Sequence, residues 1–414
     1  MGEVRQPVAS MLAPVMGAVD EFAHDAAAAR VQAGAVPASL KILHILRAPL
    51  GGLFRHVLDV AQGQAARGHR VGLIVDSTTG GARANEVLAQ LAPKMALNIA
   101  RVPIARQLGF GDIGALQFVA QRIASIEPDV VHGHGAKGAA LARLAPRGET
   151  TIRVYTPHGG SLVYAPGTTV GGFYRVLERL LNARTDLFLF ESEYIAQMFR
   201  DKIGAPHGLV RVVRNGVGDA DLAPIMTRPD ATDIVCVGEL RSVKAIDVLI
   251  EALAMLKHCS RRYTATIAGD GPQREELAAL AQRFGVSEQI YFVGFRPARD
   301  AFAMGKLLVV CSRAESLPYV VLEAAAAAMP IVSTRVGGIG EIFGPEAGRL
   351  IPADDVAALA HAILGALEDP AQLRVLAQAL NTRVREEFTV DKMVDSGLAA
   401  YRETLARRQV ARLN

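Results

Sequence analysis

From Lys41 to the C-terminus the chain alternates short β-rich runs with helical stretches, and it does so in two series. In the first series the strand candidates are Lys41–Leu46, Val71–Val75, Asn98–Val102, Val130–His132, Arg153–Thr156, Leu187–Phe190 and Val210–Val213, separated by helical patterns such as Leu53–Arg67, Ile113–Ile126 and Tyr194–Lys202. The pattern pauses at Asn215–Asp230, which carries Gly216, Gly218, Pro224 and Pro229 and reads as a linker. It restarts with Ile234–Val237, Tyr263–Ile267, Ile290–Val293, Leu307–Cys311, Ile331–Ser333 and Leu350–Ile351 around the helical stretches Ala245–Leu256, Gln273–Phe284 and Val320–Ala328, and Val390–Arg408 reads as a long terminal helix. Strand-then-helix alternation implies parallel pairing, because each crossover returns the chain to the same end of the sheet, and a parallel sheet is covered on both faces. The expected architecture is therefore α/β, with two doubly wound domains facing across a cleft. Ligands of such sheets sit at the carboxyl ends of the strands, so the post-strand loops of both halves are where chemistry is sought.

A length of 414 residues fits two domains, and a composition that is 50% apolar and 21% charged excludes a disordered chain. The net charge of +4 is too small to indicate a nucleic-acid binder, and none is expected. That charge is unevenly placed: residues 1–225 carry 23 basic and 18 acidic side chains, and residues 226–414 carry 22 and 23. Three cysteines, Cys236, Cys259 and Cys311, build no disulfide framework and no CxxC, so a reducing, cytoplasmic setting is expected. The longest run without Asp, Glu, Lys or Arg, Val154–Tyr174, contains Pro157, Pro166 and five glycines and reads as loop rather than membrane span. Residues 1–40 read as an Ala-rich, unordered extension; Val8–Val19 is interrupted by Pro14 and Gly17 and followed at once by Asp20-Glu21, which does not fit an export signal.

Two literal motif matches carry little, and a third motif is absent. Gly133-His134-Gly135-Ala136-Lys137-Gly138 is a GxGxxG between strand and helix, but it lies deep in the first series, and the next strand ends Tyr155-Thr156-Pro157 rather than on an acidic residue, so a dinucleotide site is not expected. No GxxxxGK[ST] is present, and Asp219-Ala220-Asp221 falls in the linker without further carboxylates. A stronger signal is Glu315-Ser316-Leu317-Pro318-Tyr319-Val320-Val321-Leu322-Glu323, in which two glutamates eight positions apart flank a Pro-containing turn that opens an Ala-rich helix. A carboxylate can accept two hydrogen bonds from a vicinal diol, and amides at a helix start bind phosphate oxygens.

With that pair in view, the chain resembles the GT-B glycosyltransferases of family 4, the retaining, nucleotide-sugar-dependent group. The resemblance spans about residues 41–405 and rests on Gly51-Gly52, Tyr155-Thr156-Pro157-His158-Gly159, Asn215-Gly216-Val217, Val237-Gly238-Glu239-Leu240-Arg241 with Lys244, Ala268-Gly269-Asp270-Gly271-Pro272, Glu315 with Glu323, and Gly337-Gly338 with Glu341. It implies two Rossmann-like domains: an acceptor-binding domain at 41–218, a linker at 219–230, a nucleotide-sugar-binding domain at 231–388, and a C-terminal helix at 389–414 that crosses back to the first domain. Glu315 resembles the glutamate that contacts the donor sugar, and Glu323 the one that grips the nucleoside ribose. The turn Ser316–Val320, including Leu317, Tyr319 and Val320, is expected to present backbone amides to sugar and phosphate. Lys244 matches the lysine that binds the diphosphate, where developing negative charge needs a cation. Gly51 and Gly52 match the loop that approaches the diphosphate from the first domain.

In one place the sequence departs from the family pattern. Glu239 stands where the family has arginine, and Arg241 is expected to take that role; Ala245 follows the lysine where glycine is usual. A carboxylate at the diphosphate would be repulsive, whereas a guanidinium fork suits phosphate.

Three histidines are read onto post-strand loops of the first half. His158 resembles the family histidine at the junction of donor and acceptor, His134 is read as acceptor lining and His132 as structural, and no metal site is expected because no Cys or carboxylate lies at ligand spacing nearby. Phe173–Arg184 is amphipathic and basic, with Arg175 and Arg179 one turn apart; it fits a solvated helix face, or a helix lying on an anionic membrane.

The resemblance thus implies a retaining glycosyltransferase that moves a sugar from a nucleotide sugar, expected to be UDP-linked, to a hydroxyl of a glycan or lipid-linked acceptor. No metal or other cofactor is expected, because Lys244, Arg241 and the helix start supply positive potential. The work of such an enzyme would be exopolysaccharide or related glycoconjugate assembly, in the cytoplasm or on the cytoplasmic face of the membrane. Two alternatives stand beside this reading: an epimerase acting on UDP-N-acetylglucosamine, which needs no acceptor, and a non-catalytic sugar-nucleotide binding protein.

Overall fold

The computed structural model describes residues 36–107, 109–163 and 169–413. Most of the expected N-terminal extension therefore lies outside the described residues.

The first series folds as β1 (Lys41–Leu46), β2 (Arg70–Asp76), β3 (Ile99–Val102), β4 (Val130–His134), β5 (Ile152–Thr156), β6 (Leu187–Phe190) and β7 (Leu209–Val212). The second gives β8 (Thr232–Val237), β9 (Ala265–Ala268), β10 (Ile290–Gly294), β11 (Gly305–Val310) and β12 (Ile331–Ser333). Among these residues the strands form two sheets, in the orders β3-β2-β1-β4-β5-β6-β7 and β10-β9-β8-β11-β12. Every strand pairing within them is parallel. Both orders place the first strand of the series inside the sheet and wind outward in two directions, so each half is a doubly wound, Rossmann-like unit.

Covering both faces follows from the side-chain alternation of a strand. In β1, Ile42 joins a cluster with Val60, Val130, Ile152 and Leu187 on one face, and Leu43 and Ile45 join Ala115, Val119, Ile123 and Leu141 on the other. The first face is closed by the C-terminal helix Val390–Leu413, whose Met393, Val394 and Tyr401 enter that cluster. The helix thus starts in the second half of the chain and ends on the sheet of the first.

The fold departs from the sequence reading at several places. Leu350–Ile351 is not a strand: Ile351 makes an isolated bridge to Thr334. Two helices unread in the sequence, Val356–Glu368 and Pro370–Glu387, follow it, with the Asp355 and Asp369 carboxylates capping them by accepting from Ala358 N at 2.8 Å and Gln372 N at 3.0 Å. The strand β4 runs on through His134, so His132 and His134 are strand residues rather than loop residues. Cys236 and Cys311 are buried free thiols, and Cys259 is exposed. Among the described residues no helix is long and apolar enough to cross a membrane.

Candidate functional site

The Glu315 turn sits directly after β11 and leads into the helix Tyr319–Ala326. Its shape depends on Gly337, which has φ 57°; a Cβ there would lie 1.8 Å from the Glu315 carbonyl oxygen, so only glycine allows the approach. Gly338 N then donates to the Ser316 carbonyl at 2.7 Å. The Glu315 carboxylate is held by one oxygen: Oε1 accepts from Lys244 Nζ at 2.5 Å and from Ser312 Oγ at 2.7 Å. Lys244 reaches it from the short turn Ser242–Lys244 after β8, which neighbours β11 in the sheet. The helix Tyr319–Ala326 has Pro318 at its cap position and no side-chain cap, so amides of its first turn are open to an external acceptor.

The first half meets this turn along the helix Gly51–Ala66. A Cβ on Gly52 would lie 3.3 Å from the Tyr319 ring, which brings the Gly51-Gly52 loop against the helix start. One turn further on, Arg55 forms an ion pair with Glu323 Oε1, 268 residues away, and its other nitrogens reach Asp221 and Asp59. Its guanidinium also lies 4.8 Å from the centre of the Tyr319 ring. Burial works to lower the Arg55 pKa, but the charges of Asp221 and Asp59 outweigh it and hold the group above its usual value. Burial pushes Asp59 up to about 6 and the Tyr319 hydroxyl well above its usual range. Glu323 is thereby anchored through Oε1, as Glu315 is, and among the described residues neither Oε2 has a hydrogen-bond partner.

The register of the first sheet assembles a second group. His44 on β1 lies opposite His132 on β4, and His134 is two residues further along β4, so all three side chains leave the same face. His56 from the helix Gly51–Ala66 and His158 from the turn after β5 complete a cluster of five imidazoles. His132 is saturated, with Nδ1 2.7 Å from the Tyr401 hydroxyl and Nε2 2.8 Å from Thr156 Oγ1. His134 joins His44 at 2.9 Å and His158 at 3.1 Å, and His56 Nδ1 meets Asn215 Oδ1 at 2.9 Å. Asn215 in turn donates to the Leu317 carbonyl at 2.8 Å, tying the cluster to the Glu315 turn. Burial lowers the pKa of every member: His44 and His56 to about 4, and His132, His134 and His158 well below the usual imidazole value. All five are neutral at neutral pH. The triads His44–His132–His134 and His56–His134–His158 each place three ring nitrogens within 4.8 Å of one another, a neutral-imidazole grouping of the kind transition metals use.

Of the residues singled out in the sequence, the structure gathers Gly51, Gly52, Lys244, Glu315, Leu317, Tyr319, Val320 and Glu323 around one turn, with His134 and His158 in the adjoining cluster. Arg241 stands at the head of the turn that carries Lys244, its carbonyl accepting from Lys244 N at 2.8 Å, and its half-exposed side chain lies 3.5 Å from Glu239. Four participants were not seen in the sequence. Arg55 and His56 belong to an ordinary amphipathic helix pattern, and His44 to an ordinary buried strand; only the adjacency of β1 and β4 marks it. The fourth, Glu191, directly follows β6 and is fully buried. Its oxygens face the backbone of His158 and Gly159 and the Ser316 side chain without completing a hydrogen bond to any, and burial raises its carboxyl to about 7.

Comparison with known proteins bears on the same regions. Residues 50–220 match the family model described as Glycosyltransferase Family 4, and residues 231–369 match that described as Glycosyl transferases group 1. A glycogen synthase of Mycobacterium tuberculosis is 28% identical over 364 residues, covering 82% of this chain and 88% of the relative. The putative glycosyltransferase EpsD of Bacillus subtilis is 30% identical over 295 residues, covering 66% of this chain and 77% of the relative. Among solved structures, Anabaena Alr3699/HepE in complex with UDP and glucose superposes with a TM-score of 0.69 at 21% identity, covering 87% of this chain and 98% of the other.

Proposed function

The chain belongs to glycosyltransferase family 4 and is a glycosyltransferase of the GT-B type, and on that premise we propose that it moves a sugar from a UDP-linked donor to a hydroxyl acceptor with retention of configuration. The observation that carries this reading is the pair of half-anchored glutamates. Glu315, on the turn, and Glu323, in the helix that follows it, each spend Oε1 on a cation and keep Oε2 open, on either side of an uncapped helix start.

In this reading Glu323 Oε2 accepts from a ribose hydroxyl, and Glu315 Oε2 from a hydroxyl of the donor sugar. Lys244 and the first-turn amides at Tyr319 and Val320 face the diphosphate, with the Gly51-Gly52 loop closing from the other side. These groups stabilise the charge that grows on the leaving diphosphate. The bond between the anomeric carbon and the phosphate oxygen breaks, and the acceptor oxygen bonds that carbon on the same face. The acceptor's proton passes to the departing phosphate oxygen, so no protein nucleophile is required. His158 lies on the acceptor side of this centre, backed by the buried His134, whose two ring nitrogens bond His44 and His158. The UDP and glucose held by the Anabaena structure support the donor class, and the name of the Mycobacterium tuberculosis relative, a glycogen synthase, supports a role in polysaccharide or glycoconjugate assembly. A lipid-linked or membrane-proximal acceptor fits the basic helix Thr169–Asn182, on which Phe173, Val176 and Leu180 are exposed.

The test is a thermal-shift panel of UDP-, GDP- and ADP-sugars followed by an assay of nucleotide release with and without acceptor sugars. A shift with UDP-sugars that Glu323→Ala reduces is expected. A panel in which no nucleotide sugar shifts the wild-type protein would sink the reading.

A further inference from the structure

His158 is connected to the sheet interior by a run of hydrogen bonds between side chains. Gln64 Oε1 lies 2.8 Å from His44 Nε2, His44 Nδ1 lies 2.9 Å from His134 Nε2, and His134 Nδ1 lies 3.1 Å from His158 Nε2. Gln64, His44 and His134 are all buried to within 1% of full coverage, so no bulk water competes for these bonds. A neutral imidazole carries one N–H and one lone pair, so each bond in the run fixes the next ring. The amide oxygen can only accept, so His44 carries its proton on Nε2 and leaves Nδ1 bare. His134 must then donate from Nε2, which leaves its Nδ1 bare. His158 must donate from Nε2. The one ring nitrogen left over is His158 Nδ1, which no described residue engages.

We propose that Gln64, His44 and His134 are positioning residues that lock His158 in its Nε2–H form and so present His158 Nδ1 to the substrate as a hydrogen-bond acceptor. A site with that polarity reads a hydroxyl group, which can donate, and rejects an unprotonated phosphate or carboxylate oxygen, which cannot. His158 therefore selects for a sugar hydroxyl at the junction of the two halves, and the diphosphate is left to Lys244 and the helix start. The reversed Gln64 amide would impose the opposite polarity along the whole run and make His158 Nδ1 a donor. His132 stands outside the run, because Tyr401 and Thr156 occupy both of its nitrogens. The identity of the hydroxyl rests on the proposed function; the locked ring does not.

The experiment is a long-range proton–nitrogen correlation spectrum of the full chain carrying nitrogen-15 histidine, with His158→Gln used to assign the His158 signals. In the wild type, His158 is expected to show a protonated Nε2 and an unprotonated Nδ1. Gln64→Glu keeps an acceptor at the root of the run and should keep that pattern. Gln64→Met and His44→Phe remove the root and the second link, and should give a mixture of both forms. In uniformly labelled samples, backbone amide signals of strands β8–β12, remote from the run, report that each variant is folded. Gln64→Met should also lower kcat/KM about tenfold, the size of one hydrogen bond to substrate, with Gln64→Glu restoring it. An Nδ1–H form of His158 in the wild type overturns the proposal, as does an Nε2–H form unaltered in both Gln64→Met and His44→Phe. Stoichiometric transition metal in the purified protein, bound through the cluster, overturns it too, because the lone pairs would then be ligands. Loss of the tautomer pattern with UDP-sugar turnover intact strikes this inference alone. Absence of turnover with the pattern intact strikes the proposed function alone.

Discussion

Asn215 donates its side-chain amide to the Leu317 carbonyl at 2.8 Å, and through its oxygen it receives His56 Nδ1 at 2.9 Å. One residue between the two sheets therefore fixes the histidine cluster relative to the Glu315 turn. Asn215 is buried, so replacing it by leucine strands an imidazole N–H and a carbonyl away from water. Each unpaired buried group costs about 1–3 kcal/mol. Asn215→Leu is expected to lower stability by about 2–4 kcal/mol in urea denaturation and to reduce sugar transfer, whereas Asn215→Asp keeps the bond from His56 and should fall between. A wild-type midpoint for Asn215→Leu would show that the bridge contributes nothing.

The two half-anchored glutamates separate in kinetics. Lys244→Ala removes the cation that faces the diphosphate and leaves Glu315 Oε1 with Ser312 alone. A drop in kcat of about 10²–10³ is expected, the size seen when a group that stabilises developing charge is lost. Glu323→Ala removes a ribose contact equal in ground and transition states, so it should raise the donor KM about tenfold with a smaller change in kcat. Arg55 keeps Asp221 and Asp59 in that variant, so the fold should hold. Initial rates over a range of UDP-sugar concentrations decide it: a pure kcat effect for Glu323→Ala would remove the ribose assignment.

What could be read from the sequence, and what could not, divides by distance along the chain. Glu315, on the turn, and Glu323, in the helix that the turn opens, lie on one contiguous segment, and Lys244 follows a strand that any α/β reading identifies. The Arg55–Glu323 pair spans 268 residues and the Asn215–Leu317 bond spans 102, so neither follows from local pattern. His44 meets His132 only because β1 pairs with β4, and strand order is decided by packing of whole layers rather than by any residue in β1. The Arg241–Glu239 contact, by contrast, joins residues two positions apart and is half exposed, while the short turn that follows carries Lys244 to Glu315. The helices Val356–Glu368 and Pro370–Glu387 carry clear aspartate caps, a signal that was present and unread.

Buried titratable groups predict a stability profile with two opposed limbs. His44 and His56 are held at about 4 against a usual 6.5, chiefly by burial, so the folded state keeps them neutral while the unfolded chain takes up protons below 6.5. Their contribution is complete above that value and is lost as the pH falls towards 4, on the order of 3 kcal/mol each. Glu191 runs the other way. Burial raises it from 4.5 to about 7, so the folded state retains a proton that the unfolded chain gives up, and stability declines as the pH rises through that window. Glu191→Gln should therefore be more stable than wild type near pH 8, by on the order of 3 kcal/mol, with the gap closing near pH 4.5. Denaturant midpoints of both proteins across that range test it; a constant offset at every pH would mean that Glu191 does not titrate in the fold.

The helix Thr169–Asn182 exposes Phe173, Val176 and Leu180 at 51%, 55% and 67%, spaced so that all three share one face. Arg175, Arg179 and Arg184 flank them, in the half of the chain that holds the excess of basic side chains. Burying an aliphatic or aromatic side chain is worth about 1.5–3 kcal/mol, and a basic residue at an anionic surface about 1 kcal/mol. The apolar residues should therefore dominate contact with a bilayer, and the arginines should confer salt sensitivity. Replacing Phe173, Val176 and Leu180 together by serine is expected to abolish co-sedimentation with vesicles containing anionic phospholipid. Replacing the three arginines by glutamine should weaken binding and flatten its dependence on salt. No hydrogen bond, ion pair or ring contact joins these side chains to the Glu315 turn or the histidine cluster among the described residues, so transfer to a soluble acceptor should survive both variants. Vesicle binding equal to wild type in the serine variant would remove the membrane from the proposed function and leave the chemistry of the cleft untouched.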